Sequence, residues 1–382
     1  MEFSRRDFLK VSGAAGAAVA VAGLTGCGSS EEKKDSASGG ADKEAKYTVR
    51  LAYQTTSGQV FQFIAEKHGF NKEEGVKVEG VPLGSVPDAV SALSAGKIDV
   101  ASTYGTGGPL GQIANGQPFT IFGGYMIIGE TPVYGKPEST LNSPEDLKGK
   151  KLGITRGGTC DIAMKGILYD KGIGFVYDGS TYVGCKEGDT DIVTFIDYKK
   201  GTEVLEAIAK GEVDFGGTPT GHQLLAKDRG LEVKLWPDEY WPNHSCCRMF
   251  AKDDYVANNP DAIKALLRSY LRAEEYMQDH KDEVVGLVVE NIDVTKETAE
   301  TFVKSPHMKY DTDPFTNSVS KMWDKMVAFK YLEKGDVDLN KHLNDKIYEE
   351  ALNSLIKDYP NSDFFKGKLT QFKENNTVLG DI

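Results

Sequence analysis

The sequence predicts an α/β protein of two similar domains, with mostly parallel sheets and a helical C-terminal extension. The chain has 382 residues, which is too long for one small domain. Short β-branched runs alternate with helical runs, a pattern typical of βαβ units and parallel sheets. Five residues also recur 115 residues later: Ala92, Gly96, Asp99, Thr103 and Leu110 reappear as Ala207, Gly211, Asp214, Thr218 and Leu225.

The elements of the first repeat follow from alternating residues, which predict strands, and from helical runs that end just before a glycine. In chain order we expect strand 47–53, helix 58–68, strand 76–81, helix 85–95, strand 98–101, helix 109–115 and strand 119–122. Gly69, Gly96 and Gly116 follow the three helices.

The same order of elements recurs in the second repeat. We expect strand 151–154, helix 159–171, strand 191–196, helix 202–210, strand 213–215, helix 219–229 and strand 231–235. Helical runs at 295–303, 317–329 and 339–356 predict the C-terminal extension, which Asp313-Pro314 and Gly335 interrupt.

The composition excludes several classes of protein. The formal net charge is -12, whereas a general nucleic-acid binder needs a basic face to neutralise phosphates. An apolar fraction of 40% is too high for a wholly disordered chain. No apolar run of about 18 residues is free of glycine and alanine, which argues against a polytopic membrane protein.

The N-terminus contains an export signal. Arg5 and Arg6, followed by Phe8-Leu9-Lys10, resemble a twin-arginine signal, and the weakly apolar stretch 11–26 is typical of that route. We therefore expect the mature protein outside the cytoplasm, in the periplasm or at the cell surface.

Cys27 predicts a lipid anchor. Residues 24–27 read Leu-Thr-Gly-Cys, which resembles a lipobox, so the Cys27 thiol would carry a diacylglycerol. Residues 1–26 would then be a signal peptide, and the polar, Gly- and Ser-rich residues 27–45 a flexible tether. The alternative is a short membrane helix, but sixteen residues rich in glycine and alanine span a bilayer poorly.

Four segments carry a resemblance to a known family. Residues 92–101 and 114–118 are similar to the A-L-x-x-G-x-I-D and A-x-G-x-P segments of extracytoplasmic solute-binding proteins of ABC importers. Residues 143–153 resemble the entry to that family's second domain, and residues 259–268 its post-hinge helix, with Asn259 as N-cap. The nearest branch is the SsuA/THI5-like, NMT1-type group for sulfonate, taurine, nitrate and thiamine precursors.

The resemblance implies a two-domain periplasmic-binding-protein type II fold with a hinge. In that fold the chain crosses between domains twice, here near residues 127–131 and 242–247. Domain 1 would comprise residues 46–128 plus 246–382, and domain 2 residues 129–245. The resemblance covers roughly residues 46–290 and says little about the ligand.

Small polar residues in four strand-to-helix turns predict the ligand site. In open α/β sheets ligands bind beyond the carboxyl ends of the strands, where helices begin with unpaired N–H groups. Glycines and hydroxyls there let a small anion approach the backbone. With neighbouring residues, the predicted ligand-binding set is Gln54, Thr56, Ser57, Gly58, Ser102, Thr103, Tyr104, Thr106, Tyr125, Arg156, Gly157, Gly158, Thr159, Thr218, Thr220 and His244. The alternative is that these residues are ordinary caps and turn glycines.

Arg156 is the one basic residue in these turns and could pair bidentately with a sulfonate, carboxylate or phosphate. Its alternative role is that of a solvated loop arginine. Tyr53, Tyr104, Tyr125 and Trp241 could line an apolar wall, or pack at a sheet edge. His222 could also reach the cleft.

The four cysteines after Cys27 are Cys160, Cys185, Cys246 and Cys247, and the sequence leaves their disulfide state open. A soft-metal site at residues 244–249 is disfavoured, because neighbouring side chains would alternate if this is the returning strand. We therefore expect no metal and no cofactor.

No catalytic motif occurs: H-E-x-x-H, C-x-x-C, G-x-S-x-G and the phosphate loop are all missing. We expect a monomeric, lipid-anchored binding protein, not an enzyme. It would deliver a small anionic or zwitterionic solute, such as a sulfonate, taurine or a nitrate-like oxyanion, to an ABC permease. The alternatives are a binder of a heteroaromatic thiamine or flavin precursor, and an exported enzyme on the same scaffold.

Overall fold

A computed structural model of the chain describes residues 45–54 and 59–377. The predicted signal peptide, Cys27 and nearly all of the tether lie outside the described residues, as do Thr56, Ser57 and Gly58. Within residues 45–54 and 59–377, no helix is both long enough and apolar enough to cross a membrane.

Two sets of strands form the main sheets. The strands are β1 (Tyr47–Tyr53), β2 (Val76–Pro82), β3 (Val100–Ala101), β4 (Phe119–Gly124), β5 (Met126–Gly129), β6 (Val133–Gly135), β7 (Lys151–Thr155), β8 (Phe175–Tyr177), β9 (Thr181–Val183), β10 (Val193–Tyr198), β11 (Phe215–Gly217), β12 (Glu232–Leu235), β13 (Arg248–Lys252) and β14 (Met308–Tyr310). All strands of the first sheet lie in residues 47–124 and 248–252, and those of the second sheet lie in residues 133–235.

Helices follow most strands and also form the C-terminal part. They are α1 (Val60–Lys67), α2 (Phe70–Glu73), α3 (Val86–Ser94), α4 (Gly107–Ala114), α5 (Thr159–Asp170), α6 (Gly201–Lys210), α7 (Gln223–Asp228), α8 (Pro237–Tyr240), α9 (Asp253–Asn258), α10 (Pro260–Asp279), α11 (Lys281–Asn291), α12 (Lys296–Lys304), α13 (Thr316–Ala328), α14 (Lys346–Asp358) and α15 (Asp363–Asn375). The predicted α/β class is therefore confirmed.

The first sheet has the order β2-β1-β3-β13-β4, and the second has the order β12-β6-β11-β7-β10-β8-β9. Strand β1 pairs in parallel with β2 and β3, and β7 pairs in parallel with β10 and β11, as the alternation of strands and helices predicts. Strand β13 runs antiparallel to β3 and β4 because the chain re-enters the first sheet there after it has built the second. The domain boundaries given above agree with this division, and we keep them as a proposal.

The predicted helix 339–356 is wrong in extent. The run 339–356 is not one helix: a 3-10 turn spans Leu339–His342, and α14 begins only at Lys346. Between them the Asn344 backbone N–H donates to the Ile121 carbonyl at 2.8 Å, which ties this stretch to β4. Asn259 is the N-cap residue of α10, as expected, and its side-chain amide donates to the Tyr255 carbonyl at 3.0 Å.

Residues 316–331, which we call the bridging segment, contact elements associated with both main sheets. Its helix α13 packs against α4 and against α5. Beyond α13, the Phe329 carbonyl accepts a hydrogen bond from the Tyr177 hydroxyl at 2.7 Å, and the Tyr331 hydroxyl donates to Asp161 at 2.9 Å. One apolar cluster therefore includes residues of the first sheet, of the second sheet and of the bridging segment.

Candidate functional site

Three of the four predicted turns meet around Cys246. The Thr106 backbone N–H donates to the Cys246 carbonyl at 2.7 Å, and the Thr159 hydroxyl lies 3.5 Å from the Cys246 sulfur. The Thr220 hydroxyl donates to the carbonyl of Gly129, next to the same sulfur. The turns after β3, β7 and β11 thus converge from both sheets.

Glycines permit this close approach. A Cβ on Gly129 would collide with the Cys246 sulfur, and one on Gly107 would collide with Ile162 of α5. Helices α4 and α5 therefore begin side by side. Because the first N–H groups of a helix lack partners within it, both helices bring partial positive charge to the convergence.

Residues 55–58 of the fourth predicted turn lie outside the described residues, but Gln54 and Gln59 on either side of them are described. The Gln54 backbone N–H donates to the Thr103 hydroxyl at 2.7 Å, and the Gln59 amide donates to the Ser102 hydroxyl at 3.2 Å. The Tyr125 hydroxyl donates to the side-chain carbonyl oxygen of Gln59 at 3.3 Å. Gln54 and Gln59 thus both contact the turn that follows β3.

A buried ion pair between Asp161 and Lys165 holds the turn that follows β7. Asp161 accepts from the Gly157 backbone N–H at 2.9 Å and binds Lys165, and neither charged side chain is exposed. The ammonium group also lies 4.3 Å from the Tyr177 ring centre, inside a cage of aromatic rings. Burial lowers the pKa of Lys165, although Asp161 opposes that shift.

The Arg156 guanidinium is already paired with two carboxylates. Its guanidinium nitrogens lie 3.3 Å from Asp197 and 3.4 Å from Asp178, and the side chain is 46% exposed. The guanidinium also sits 5.5 Å from the Tyr177 ring centre. Pairing with an anionic solute would require Arg156 to exchange these partners, so its role in binding stays a prediction.

The four aromatic residues do not form one wall. The Tyr104 hydroxyl donates to the Leu83 carbonyl at 3.1 Å, and Tyr125 packs on Phe61 with ring centres 5.2 Å apart. Trp241 lies against Gly166 of α5. Tyr53 lies over Gly80 at the edge of the first sheet. His222 is also turned away: its Nδ1 lies 2.9 Å from the Pro219 carbonyl and its ring covers Gly201.

Several buried polar atoms near the convergence have no hydrogen-bond partner within the described residues. They belong to Thr155, Thr218, Tyr134, Glu130 and His244. Thr218 and His244 are in the predicted set, whereas sequence reasoning missed the other three. A signal was available for Glu130, since it is the one charged residue in the otherwise uncharged stretch 123–135.

Burial sets the protonation of two of these groups. It raises the pKa of Glu130, while nearby Ser305 and Gln223 oppose that shift, and it lowers the pKa of His244 to about 4. His244 is therefore a neutral imidazole at pH 7. Glu130 has a φ of 40° and Asn243 one of 55°, so both predicted crossings contain a non-glycine residue in the left-handed region.

The expectation that Cys246 and Cys247 point to opposite faces is wrong. Strand β13 begins only at Arg248, and the two sulfur atoms lie 3.4 Å apart on one side of the chain. Cys160, Cys185, Cys246 and Cys247 are all free thiols. In the part of the chain that the structure covers, no group of three or more His, Cys, Asp and Glu side chains is placed to hold a metal.

The architecture is that of the periplasmic binding proteins. The periplasmic nitrate-binding protein NrtA from Synechocystis PCC 6803 superposes with a TM-score of 0.62 at 17% identity, over 83% of this chain and 90% of that one. The periplasmic aliphatic sulphonate binding protein SsuA from Escherichia coli gives 0.60 at 18% identity, over 77% and 91%. Residues 59–284 match the family described as NMT1/THI5 like, and the chain belongs to that family.

Relatives with curated names are of two kinds. The formylaminopyrimidine-binding protein of Halalkalibacterium halodurans is 22% identical over 307 residues, which is 76% of this chain and 86% of that protein. The 4-amino-5-hydroxymethyl-2-methylpyrimidine phosphate synthase of Schizosaccharomyces pombe is 23% identical over 239 residues, 59% of this chain and 63% of that protein. Residues 2–22 match the twin-arginine translocation pathway signal sequence, which confirms the predicted export signal.

Proposed function

We propose that this protein is a lipid-anchored, extracytoplasmic solute-binding protein that acts as a monomer and delivers a small solute to an ABC permease. The observation that carries the proposal is the convergence of the turns containing Thr106, Thr159 and Thr220 around Cys246. Turns from two sheets that meet at one place can close on a ligand from both sides, as in hinge-closure binding proteins. The fold shared with NrtA and SsuA supports this proposal.

The first candidate solute is a small anion or zwitterion, such as a sulfonate, taurine or nitrate. The beginnings of α4 and α5 supply N–H groups and partial positive charge, which favour a negative group. The Thr218 hydroxyl is buried without a partner and can donate to it. Arg156 would strengthen such binding if it left Asp178 and Asp197.

A heteroaromatic amine is the second candidate, because the unpartnered carboxylate of Glu130 and hydroxyl of Tyr134 can bind ring nitrogens and amino groups. The name of the formylaminopyrimidine-binding relative supports it. An exported enzyme is the third candidate, favoured only by the name of the Schizosaccharomyces pombe relative.

Native mass spectrometry of the purified protein, followed by thermal shift with a panel of solutes, tests the proposal. The panel holds taurine, ethanesulfonate, nitrate and formylaminopyrimidine. A solute at 100 times its Kd stabilises the protein by about 2.7 kcal/mol. Turnover of a panel compound, with no stabilisation by any, would instead favour the enzyme.

Two threonine variants locate the site. Thr159→Val removes a hydroxyl at the convergence while keeping the shape of the side chain, and we expect it to weaken the solute by about 1 kcal/mol or more. Thr190→Val makes the same change at an exposed turn and should leave binding unchanged. Equal affinities in both variants would place the solute elsewhere.

A further inference from the structure

Cys246 and Cys247 form a buried vicinal dithiol at the centre of the convergence. Their sulfur atoms lie 3.4 Å apart, and each residue is 3% exposed. Adjacent side chains of an extended strand point to opposite faces. Here the chain reaches the pair through Ser245, whose φ is 48°, and the strand starts only after the pair.

The backbone of the pair is fixed on three sides. The Cys246 N–H donates to the Ile127 carbonyl at 3.0 Å, and the Cys247 N–H donates to the Met126 carbonyl at 2.7 Å. The Cys246 carbonyl accepts from Thr106. These bonds use the backbone of the two cysteines, so they hold the positions of the sulfur atoms without engaging either thiol.

The surroundings make Cys246 the reactive member. The hydrogen bond from the Cys247 thiol lowers the pKa of Cys246, with help from the Thr159 hydroxyl and the buried Arg248, and burial opposes the shift. For Cys160 burial raises the pKa. Since the thiolate is the nucleophile in disulfide exchange, Cys246 is set apart from the buried Cys160 thiol.

We propose that Cys246 and Cys247 are a redox modification site that exchanges with an external disulfide and closes to a vicinal disulfide. The Cys246 thiolate attacks one sulfur of the external disulfide, which forms a mixed disulfide and releases the first external thiolate. Cys247 then loses its proton, and its sulfur attacks the Cys246 sulfur and expels the second external thiolate. The dithiol gives up two electrons, the external disulfide is reduced, and the two protons end on its two thiols.

The modification is coupled to the state of the cleft. Both thiols are covered, and the Thr159 hydroxyl touches the Cys246 sulfur, so the external disulfide can reach the pair only when the turn after β7 moves away. Oxidation therefore reports on the open state. It also favours that state, because closing the 3.4 Å gap to an S–S bond of about 2.05 Å moves the Cys246 sulfur that the Thr159 hydroxyl contacts. This coupling rests on the proposed function, whereas the disulfide itself does not.

The vicinal disulfide should be easily reduced. Neighbouring Cα atoms are about 3.8 Å apart across a trans peptide, closer than the roughly 4.4–6.8 Å of ordinary disulfides. Strained disulfides have more oxidising potentials and are the labile, regulatory ones. The pair is thus suited to reversible modification.

Peptide mapping of the full chain after incubation with oxidised glutathione tests the proposal. Trypsin should release residues 235–248, a peptide that contains both Cys246 and Cys247 and no other cysteine. We expect this peptide to lose two hydrogen masses and to regain them with dithiothreitol, while Cys160 stays free for alkylation. Recovery of the peptide with two alkyl groups, or with glutathione still attached, would overturn the proposal.

Single-thiol variants test the roles of the two cysteines. Cys247→Ser removes the resolving thiol, so Cys246 should accumulate as a stable mixed disulfide with glutathione. Cys246→Ser should react at least about tenfold more slowly, because burial still raises the pKa of the remaining Cys247 thiol and the Thr159 hydroxyl does not contact it. Equal rates in two variants with the same melting temperature would contradict the assignment.

Solute binding by the reduced and oxidised proteins separates the two proposals. Weaker binding of the same panel solute by the oxidised protein supports the coupling, and equal binding by both overturns it. If neither form binds any solute or retains a co-purified one, the proposed function fails, and the peptide map still decides whether the disulfide forms.

Discussion

At the residue scale, the site combines satisfied and unsatisfied buried groups. Asp161 and Lys165 neutralise each other beneath the turn after β7, so they position Gly157 and need no ligand. His244 is different, because both its ring nitrogens are buried without a hydrogen-bond partner. Its ring is therefore neutral in the folded protein at pH 7, and this makes the stability of the protein depend on pH.

We predict that His244 destabilises the protein in acid. Its pKa in the folded chain is about 4, below the ordinary value of 6.5, so the unfolded chain takes up the proton first as the pH falls. Stability is lost between pH 6.5 and 4, by at most about 3 kcal/mol at roughly 1.4 kcal/mol per pKa unit.

Urea unfolding of the parent and of His244→Gln at pH 7 and pH 4 checks this. The parent should lose up to about 3 kcal/mol more than the variant on acidification, because glutamine does not titrate. The same loss in both proteins would mean that the pKa of His244 is the same in the folded and the unfolded chain, which would contradict the prediction.

At the scale of elements, the sequence predicts most strands and helices, but not the contacts of the bridging segment with elements of both sheets. The repeat around Gly96 and Gly211 locates the turns that follow β3 and β11, because a helix, a glycine and a short strand give a clear local pattern. The contact of the bridging segment with α5 depends on side chains far apart in the sequence, which no local pattern contains.

Some residues of the candidate site could be predicted from the sequence, and others could be found only from the structure. Hydroxyls and glycines in turns predict Thr106, Thr159 and Thr220 from local chemistry alone. Thr155 and Tyr134 lie in strands and become candidates only through their unpartnered buried hydroxyls. Arg156 was selected for its charge, but the sequence does not show that Asp178 and Asp197 lie beside it.

We predict that Tyr177→Phe loosens the bridging segment. The variant leaves the buried Phe329 carbonyl without its 2.7 Å hydrogen bond, which costs about 1–3 kcal/mol. If release of this segment accompanies opening, N-ethylmaleimide should label Cys246 faster in the variant. The measurement is the labelling rate of residues 235–248 by mass spectrometry.

Tyr169→Phe is the matched control, because Tyr169 is 44% exposed. It should change neither stability nor labelling. An unchanged labelling rate in Tyr177→Phe, together with the expected loss of stability, would show that the bridging segment does not limit access to the cysteines.

At the scale of the whole molecule, the twin-arginine signal at residues 2–22 indicates a setting outside the cytoplasm. The chain passes through two sheets and returns to the first, and this brings residues more than 100 positions apart in sequence to Cys246. The part of the chain that would tie this body to a membrane is Cys27.

We predict that Cys27→Ser releases the protein from membranes. Serine has no thiol to receive the diacylglycerol, and without the lipid no other strong attachment is expected from an acidic protein near an anionic surface. Fractionation of cells that express the parent and the variant measures the membrane-bound share. Retention of the variant in the membrane pellet would contradict lipidation at this residue.

The bridging segment has a consequence for the evolution of affinity. Residues 316–331 contact α4, which follows β3 of the first sheet, and α5, which follows β7 of the second. Separating the two sheets would therefore also require breaking the contacts of α13, none of whose residues belongs to the predicted ligand-binding set. Under the proposed function, substitutions along α13 would therefore retune how tightly the protein holds its cargo and how readily it releases that cargo to a permease, without altering which cargo it recognises.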